Sequence, residues 1–109
     1  MIYFDCAATS FQKPRSVAAA VEDALATMSS PGRGGYDAAM AAADTAFACR
    51  EELAELYHLD SPEQVVFTMN AIHALNLAIK SLVPLGGRAV ISGYEHNAVT
   101  RPLAALRAE

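Results

Sequence analysis

Two short apolar runs in the second half of the chain place the strongest constraint on its fold. Residues 65–67 (VVF) and 89–91 (AVI) are rich in β-branched and aromatic side chains, and a helical pattern over residues 71–82 lies between them. Continuous apolar strands separated by a helix favour parallel pairing in an α/β sheet. We therefore expect an α/β fold with a small parallel sheet. Because two parallel strands form a poor sheet alone, the pattern indicates only part of an architecture.

Apolar side chains recur at helical spacing in four segments. The predicted helices cover residues 15–28, 37–57, 71–82 and 97–107. Alanine accounts for 23 of the 109 residues, and small side chains bury little area each, so the core is expected to be thin.

Composition excludes several classes of function. The chain carries 8 basic and 12 acidic residues, a formal net charge of −4, and no Lys/Arg cluster that could follow a nucleic-acid backbone. It has no run of about 18 apolar residues, so no transmembrane helix is expected. Cys6 and Cys49 lack C-x-x-C spacing, which favours free thiols in a reducing compartment. We therefore expect a cytoplasmic protein without nucleic-acid or membrane partners. His58 and His73 lack ligand partners at metal spacing, so no metal site is expected.

Polar residues follow both apolar runs. Asn70 precedes the helix over residues 71–82, where free N–H groups suit a phosphate, although Asn70 could simply cap an ordinary helix. His96 follows the second run, where an imidazole could stack on a flat cofactor or move a proton. The simpler interpretation there is a loop histidine followed by a capping Asn97. Ligands of open α/β sheets bind beyond the carboxyl ends of the strands, so both positions are site candidates.

The segment at residues 29–35 (SSPGRGG) is a third candidate. Three glycines and one proline in seven residues predict a loop that bends sharply. Arg33 in this loop could carry its guanidinium to a carboxylate or phosphate. The alternative is a helix breaker with a solvated arginine.

Four segments, in this order, match one known family. Residues 2–14 (IYFDCAATSFQKP) resemble its opening, usually YFDNAAT followed by KP, and residues 31–36 (PGRGGY) resemble the Asn-Pro-Gly-Arg-Gly loop of one subgroup. Residues 66–76 (VFTMNAIHALN) resemble its F-T-x-N-A-T-x-A-L-N segment, and residues 91–99 (ISGYEHNAV) resemble its S-x-x-E-H-N-A-V segment. Over essentially its whole length, the chain resembles the N-terminal part of a cysteine desulfurase or class V aminotransferase.

The resemblance implies a pyridoxal 5'-phosphate-dependent enzyme of fold type I, generally a homodimer that acts on a small amino acid. It implies that Ala71 and Ile72, next to Asn70, would face the cofactor phosphate. It implies that His96 would stack on the pyridine ring and assist proton transfer. The loop with Arg33 would lie near an active site, as a candidate substrate loop.

The resemblance also implies a domain order. Residues 1–36 would form an arm, a helix and a Gly-rich loop, and residues 37–109 would begin the cofactor-binding large domain. The expected fold is therefore an incomplete N-terminal portion of a fold type I transferase large domain. The family's Schiff-base lysine follows a Ser/Gly-x-His motif much later in its chain, and the only lysines here, Lys13 and Lys80, lack that context.

Two residues depart from the family pattern. Cys6 stands where the family usually has Asn, and Ile72 stands where it usually has a Thr that donates a hydroxyl to the phosphate. The loss of one hydroxyl contact would weaken phosphate binding by about 1–3 kcal/mol. Without the lysine, the cofactor also loses its covalent anchor. Cofactor binding by this chain is therefore expected to be weak or absent.

The expected function is that of a fragment of a cysteine desulfurase-like enzyme, which removes sulfur from L-cysteine and releases alanine. The chain alone is expected to be inactive. One alternative is a class V aminotransferase or lyase that acts on another small amino acid. A different class of alternative is a non-catalytic truncated module that associates with a full-length paralogue.

Overall fold

Helices make up all of the regular secondary structure in the computed structural model, which describes residues 2–108. The α-helices are α1 (Arg15–Thr27), α2 (Asp37–Leu56), α3 (Ala71–Leu82) and α4 (Asn97–Ala108), and one 3-10 turn covers Pro62–Gln64. Each helix boundary lies within one residue of its predicted position. The chain divides into two compact units, residues 1–65 and residues 66–109.

The first unit contains α1, α2 and the 3-10 turn. Asp37 is the first residue of α2, and its carboxylate interacts favourably with the positive end of the helix dipole. The 3-10 turn packs against α2. The loop between α1 and α2 is closed at its base, because the Ser29 N–H donates to the Ala38 carbonyl over 3.1 Å.

The end of α2 is defined by a left-handed residue. His58 has a φ of 54°, which is unusual for a residue with a side chain. The His58 N–H donates to the Glu55 carbonyl over 3.1 Å, and the Leu59 N–H donates to the Ala54 carbonyl over 2.8 Å. This pair of bonds is the Schellman motif, in which glycine usually occupies the position of His58.

The second unit consists of α3 and α4, which pack against each other, with two irregular segments before them. Leu75 and Ile79 of α3 are half-buried, and Ala98 and Pro102 of α4 are buried. Pro102 is the sixth residue of α4 and lies beyond its first turn. Because Pro102 has no N–H, one intrahelical hydrogen bond of α4 cannot form.

The predicted parallel sheet is absent from residues 2–108, so the α/β assignment is wrong for the described chain. Residues 65–68 and 87–92 have no regular secondary structure. Val66 is 70% exposed and Val90 is 99% exposed, so no neighbouring strand or helix covers these side chains. A helix supplies its own hydrogen-bond partners, whereas a strand needs a second strand beside it. The apolar composition of the two runs is therefore not sufficient to form a sheet.

Few side chains are buried. Within the described part of the chain, the buried apolar residues other than Pro102 are alanines, namely Ala39, Ala54 and Ala98. Larger apolar side chains such as Phe4, at 94% exposure, remain in contact with solvent. Each buried methyl group contributes only about 0.8 kcal/mol, so the thin core expected from the alanine content is confirmed. None of the helices described is long and apolar enough to cross a membrane.

Candidate functional site

The start of α3 is ordered by Asn70. Its backbone is extended, with φ −168° and ψ 173°, and its Oδ1 accepts a hydrogen bond from the His73 N–H over 2.9 Å. Asn70 is therefore the N-cap, as predicted. The Thr68 hydroxyl donates to the Asn70 carbonyl over 3.0 Å, which orients the residue from the other side.

The cap leaves two backbone donors at this helix end. The His73 N–H is bonded to the Asn70 side chain. The Ala71 and Ile72 N–H groups come before it in the chain, so neither the helix nor its cap supplies an acceptor for them. Free N–H groups at the positive end of a helix are suited to an anion. The Ile72 side chain is 53% exposed and brings no polar atom to this end.

The start of α4 is ordered by His96 rather than by Asn97. The Ala98 N–H donates to His96 Nδ1 over 3.1 Å. The Val99 N–H donates to the His96 carbonyl over 2.9 Å. Asn97 is the first residue of the helix, so the alternative interpretation, in which Asn97 caps α4, does not hold. The imidazole of His96 occupies the capping position that a Ser, Asn or Asp side chain commonly takes.

The segment before α4 carries a second side-chain hydrogen bond. The Ser92 hydroxyl donates to Glu95 Oε1 over 2.9 Å and accepts from the Tyr94 N–H over 3.3 Å. Tyr94 is fully exposed. These bonds shape the turn that leads into His96 and orient the Glu95 carboxylate.

Arg33 lies in the first unit, at the tip of the loop between α1 and α2. The base of this loop is held by a hydrogen bond of 2.6 Å between the Ser29 and Tyr36 hydroxyls. A Cβ atom at Gly34 would lie 2.6 Å from the Tyr36 ring, so glycine is required for the ring to approach the loop. Arg33 itself is exposed.

The structure places four of the five predicted site residues in one unit. Asn70, Ala71 and Ile72 form the start of α3, and His96 forms the start of α4, the helix that packs against α3. Sequence reasoning missed the positions of Thr68 and Ala98, whose hydrogen bonds orient Asn70 and His96. Thr68 could have been found from the sequence, because it lies two residues before the candidate cap Asn70. Nothing in the sequence indicates that the Ala98 N–H bonds to an imidazole.

The two lysines have defined local surroundings. Lys13 is in the first unit, and its Nζ donates to the Ser10 carbonyl over 2.6 Å. Lys80 is exposed in the last turn of α3. It lies eight residues after Ile72, which at 1.5 Å per residue is about 12 Å along the helix axis. Lys80 is therefore at the opposite end of α3 from the two free N–H groups.

Other features of the described chain lie apart from this site. A cavity of about 760 Å³ in the second unit is lined by apolar residues such as Leu85 and Leu103, together with Arg107. Asn70, Ile72 and His96 are not among its lining residues. Within residues 2–108 no group of three or more His, Cys, Asp or Glu side chains could hold a metal ion.

Comparison with known proteins gives one match. The model of the family described as Aminotransferase class-V matches residues 2–109. No curated protein and no solved structure matches the chain significantly.

Proposed function

We propose that this chain, which belongs to the class V aminotransferase family, carries a binding site for pyridoxal 5'-phosphate in its second unit. We further propose that the parent reaction is removal of sulfur from L-cysteine with release of alanine. The observation that carries the cofactor proposal is the capped start of α3. There, Asn70 leaves the Ala71 and Ile72 N–H groups free at the positive end of a helix.

The residues at this site fit the phosphate and the ring of the cofactor. The two N–H groups suit a phosphate, and the exposed imidazole of His96 offers a flat surface for an aromatic ring. When bound, the cofactor supplies an electron sink for the carbanion chemistry of amino acids. The residues do not fit its covalent anchor, because Lys80 is at the far end of α3 and Lys13 is bonded to Ser10.

The predicted site residues have separate roles in binding. Ala71 and Ile72 donate backbone hydrogen bonds to the phosphate, while Asn70 holds the first turn of α3 open for it. His96 packs on the cofactor ring and holds a proton at its imidazole. Arg33 binds an anionic group of a substrate, by resemblance to the family, because its guanidinium is exposed on a closed loop.

The chain alone is not expected to catalyse the parent reaction. Since Lys80 is at the far end of α3 and neither lysine follows the Ser/Gly-x-His motif of the family, we expect the 109-residue chain alone to bind the cofactor weakly and to release no sulfur. The motifs that separate a desulfurase from a transaminase or lyase acting on another small amino acid do not occur in residues 1–109. The ISGYEHNAV segment and the PGRGGY loop support membership of the family and are compatible with either reaction.

A second candidate function is supported by the surface. Many large apolar side chains are exposed, among them Val90 at 99% and Tyr94 at 100%. Burial of such side chains against a partner would remove apolar area from water, which favours association. The alternative proposal is a non-catalytic module that associates with a longer member of the same family.

The first experiment measures cofactor binding and turnover on the purified chain. Titration with pyridoxal 5'-phosphate, followed by absorbance and by backbone amide shifts, is expected to give a weak, saturable interaction centred on Ala71 and Ile72. Addition of L-cysteine is expected to give no sulfide above the background of the free cofactor. Amide shifts scattered over the whole surface would contradict the binding site. Sulfide above background would contradict the expected inactivity.

A further inference from the structure

The imidazole ring of His96 is tied to the helix that follows it. The Ala98 N–H donates to His96 Nδ1 over 3.1 Å. The Val99 N–H donates to the His96 carbonyl over 2.9 Å. Since both donors belong to the first turn of α4, this turn holds the ring and the backbone of His96 together.

The bond from Ala98 determines where the ring carries its proton. In a neutral imidazole one nitrogen is a donor and the other is an acceptor. The hydrogen bond that one nitrogen makes therefore sets the state of the other. Because Nδ1 accepts from a backbone N–H, the proton of the neutral ring lies on Nε2. A proton on Nδ1 would face the Ala98 N–H and break the cap of α4.

We propose that α4 holds His96 as a fixed hydrogen-bond donor that presents its Nε2–H outward, with the Ala98 N–H as the positioning group. His96 is exposed, so Nε2 is accessible to a ligand. The chemical class that Nε2–H recognises is an anionic or electron-rich oxygen. That this oxygen belongs to the cofactor or to its amino-acid substrate rests on the proposed function.

This arrangement fixes the hydrogen bonds that the neutral ring can make. The ring donates a hydrogen bond from Nε2 while Nδ1 keeps its bond to the Ala98 N–H. Nδ1 can meet any other group only when it separates from the Ala98 N–H, which opens the first turn of α4. His96 therefore acts on a ligand as a hydrogen-bond donor through Nε2.

The hydrogen bond can be measured directly in the free chain. In a uniformly ¹⁵N-labelled sample at about pH 8, above the ordinary histidine range, we expect a scalar coupling between the Ala98 amide nitrogen and His96 Nδ1. We expect the ring proton of His96 on Nε2. The exposed His58 and His73 rings are internal references for unconstrained imidazoles. No coupling, or a proton on Nδ1, would overturn the inference, whether or not the cofactor binds.

Two variants separate the cap from the donor. His96→Asn keeps a short acceptor for the Ala98 N–H but lacks the outward N–H of the ring. His96→Gln keeps an outward N–H but caps less well. With pyridoxal 5'-phosphate as the probe, we expect His96→Asn to keep the slow exchange of the Ala98 amide and to bind about tenfold more weakly. We expect His96→Gln to speed up the exchange of the Ala98 amide and to bind the cofactor about as tightly as the unchanged chain.

The outcomes distinguish this inference from the proposed function. If His96→Asn binds the cofactor as tightly as the unchanged chain, the donor role is wrong although cofactor binding stands. If the unchanged chain binds no cofactor, the proposed function and the assignment of the ligand both fail. In that case the coupling between Ala98 and His96 alone decides whether α4 fixes the ring.

Discussion

The side chain at position 72 determines how many hydrogen bonds the start of α3 can offer to a phosphate. Ile72 contributes its backbone N–H but no hydroxyl, whereas the resembled family usually has Thr at this position. We expect Ile72→Thr to tighten binding of pyridoxal 5'-phosphate by about 1–3 kcal/mol, because a hydrogen bond to a charged group is added. An absorbance titration measures the change.

Ile72→Val is the matched control for this experiment, since Val has the shape of Thr without its hydroxyl. Equal affinities of the Thr and Val variants would show that the hydroxyl makes no contact with the cofactor. The phosphate would then be bound elsewhere, or by backbone groups alone.

The residue at position 58 adopts a conformation that glycine adopts more readily. His58 has a φ of 54° in the Schellman motif after α2, and left-handed backbone costs a non-glycine residue about 1–2 kcal/mol. We expect His58→Gly to raise the free energy of unfolding by about 0.5–1 kcal/mol, after the larger chain entropy of glycine in the unfolded state is subtracted. The midpoint of urea unfolding measures this change.

His58→Ala and His58→Asn complete the comparison at this position. Ala keeps the left-handed cost and should give no gain, while Asn tolerates this conformation and should lie between Ala and Gly. A Gly variant no more stable than the Ala variant would mean that the turn relaxes when His58 is replaced.

At the scale of the element, α3 depends on its N-cap. Asn70 satisfies the His73 N–H over 2.9 Å, and removal of such a cap costs about 0.5–2 kcal/mol. We expect Asn70→Ala to lower the free energy of unfolding by about 1 kcal/mol. Circular dichroism during urea unfolding measures the loss.

Asn70→Asp separates the cap from the phosphate site. An Asp side chain can cap the helix and its charge favours the helix dipole, so we expect stability to be retained. The same charge repels a phosphate next to it, so we expect cofactor affinity to fall. If Asp at this position leaves the affinity unchanged, the phosphate is not bound at the start of α3.

The helices of this chain were easier to predict than its strands. All four α-helices lie within one residue of the positions that their apolar spacing and flanking turn residues indicate. Their hydrogen bonds are local, so a short window of sequence contains most of the relevant interactions. The runs at residues 65–67 and 89–91 contain strand-forming residues, yet strand formation depends on partners that such a window does not include.

At the scale of the whole molecule, the described chain exposes many large apolar side chains, whereas the side chains of its core are mainly alanines. The stripe on α1 is an example, with Val17 at 46%, Val21 at 55% and Leu25 at 83% exposure. We expect the chain to associate in the micromolar range, because contact between such surfaces removes apolar area from water. Sedimentation velocity over a range of concentrations measures this association.

Leu25→Lys and Glu22→Gln form a matched pair for this test, because each raises the net charge by one. Only the first removes an apolar side chain, so we expect only Leu25→Lys to shift the chain towards smaller species. A dispersed monomer at every concentration would remove the support for an associating module. The division into residues 1–36 and 37–109 and the homodimer of the parent family stay predictions.

The sequence by itself determined the helices, the cap at Asn70, the thin alanine core and, through four segments in order, the family. These features depend on interactions between residues close in the chain, or on composition. The tertiary structure decided that residues 65–67 and 89–91 form no sheet within the described chain and that α3 packs on α4. It also decided that the ring of His96, rather than the side chain of Asn97, caps α4. Strand pairing and the direction of a ring depend on atoms brought together in space, which a linear pattern does not specify.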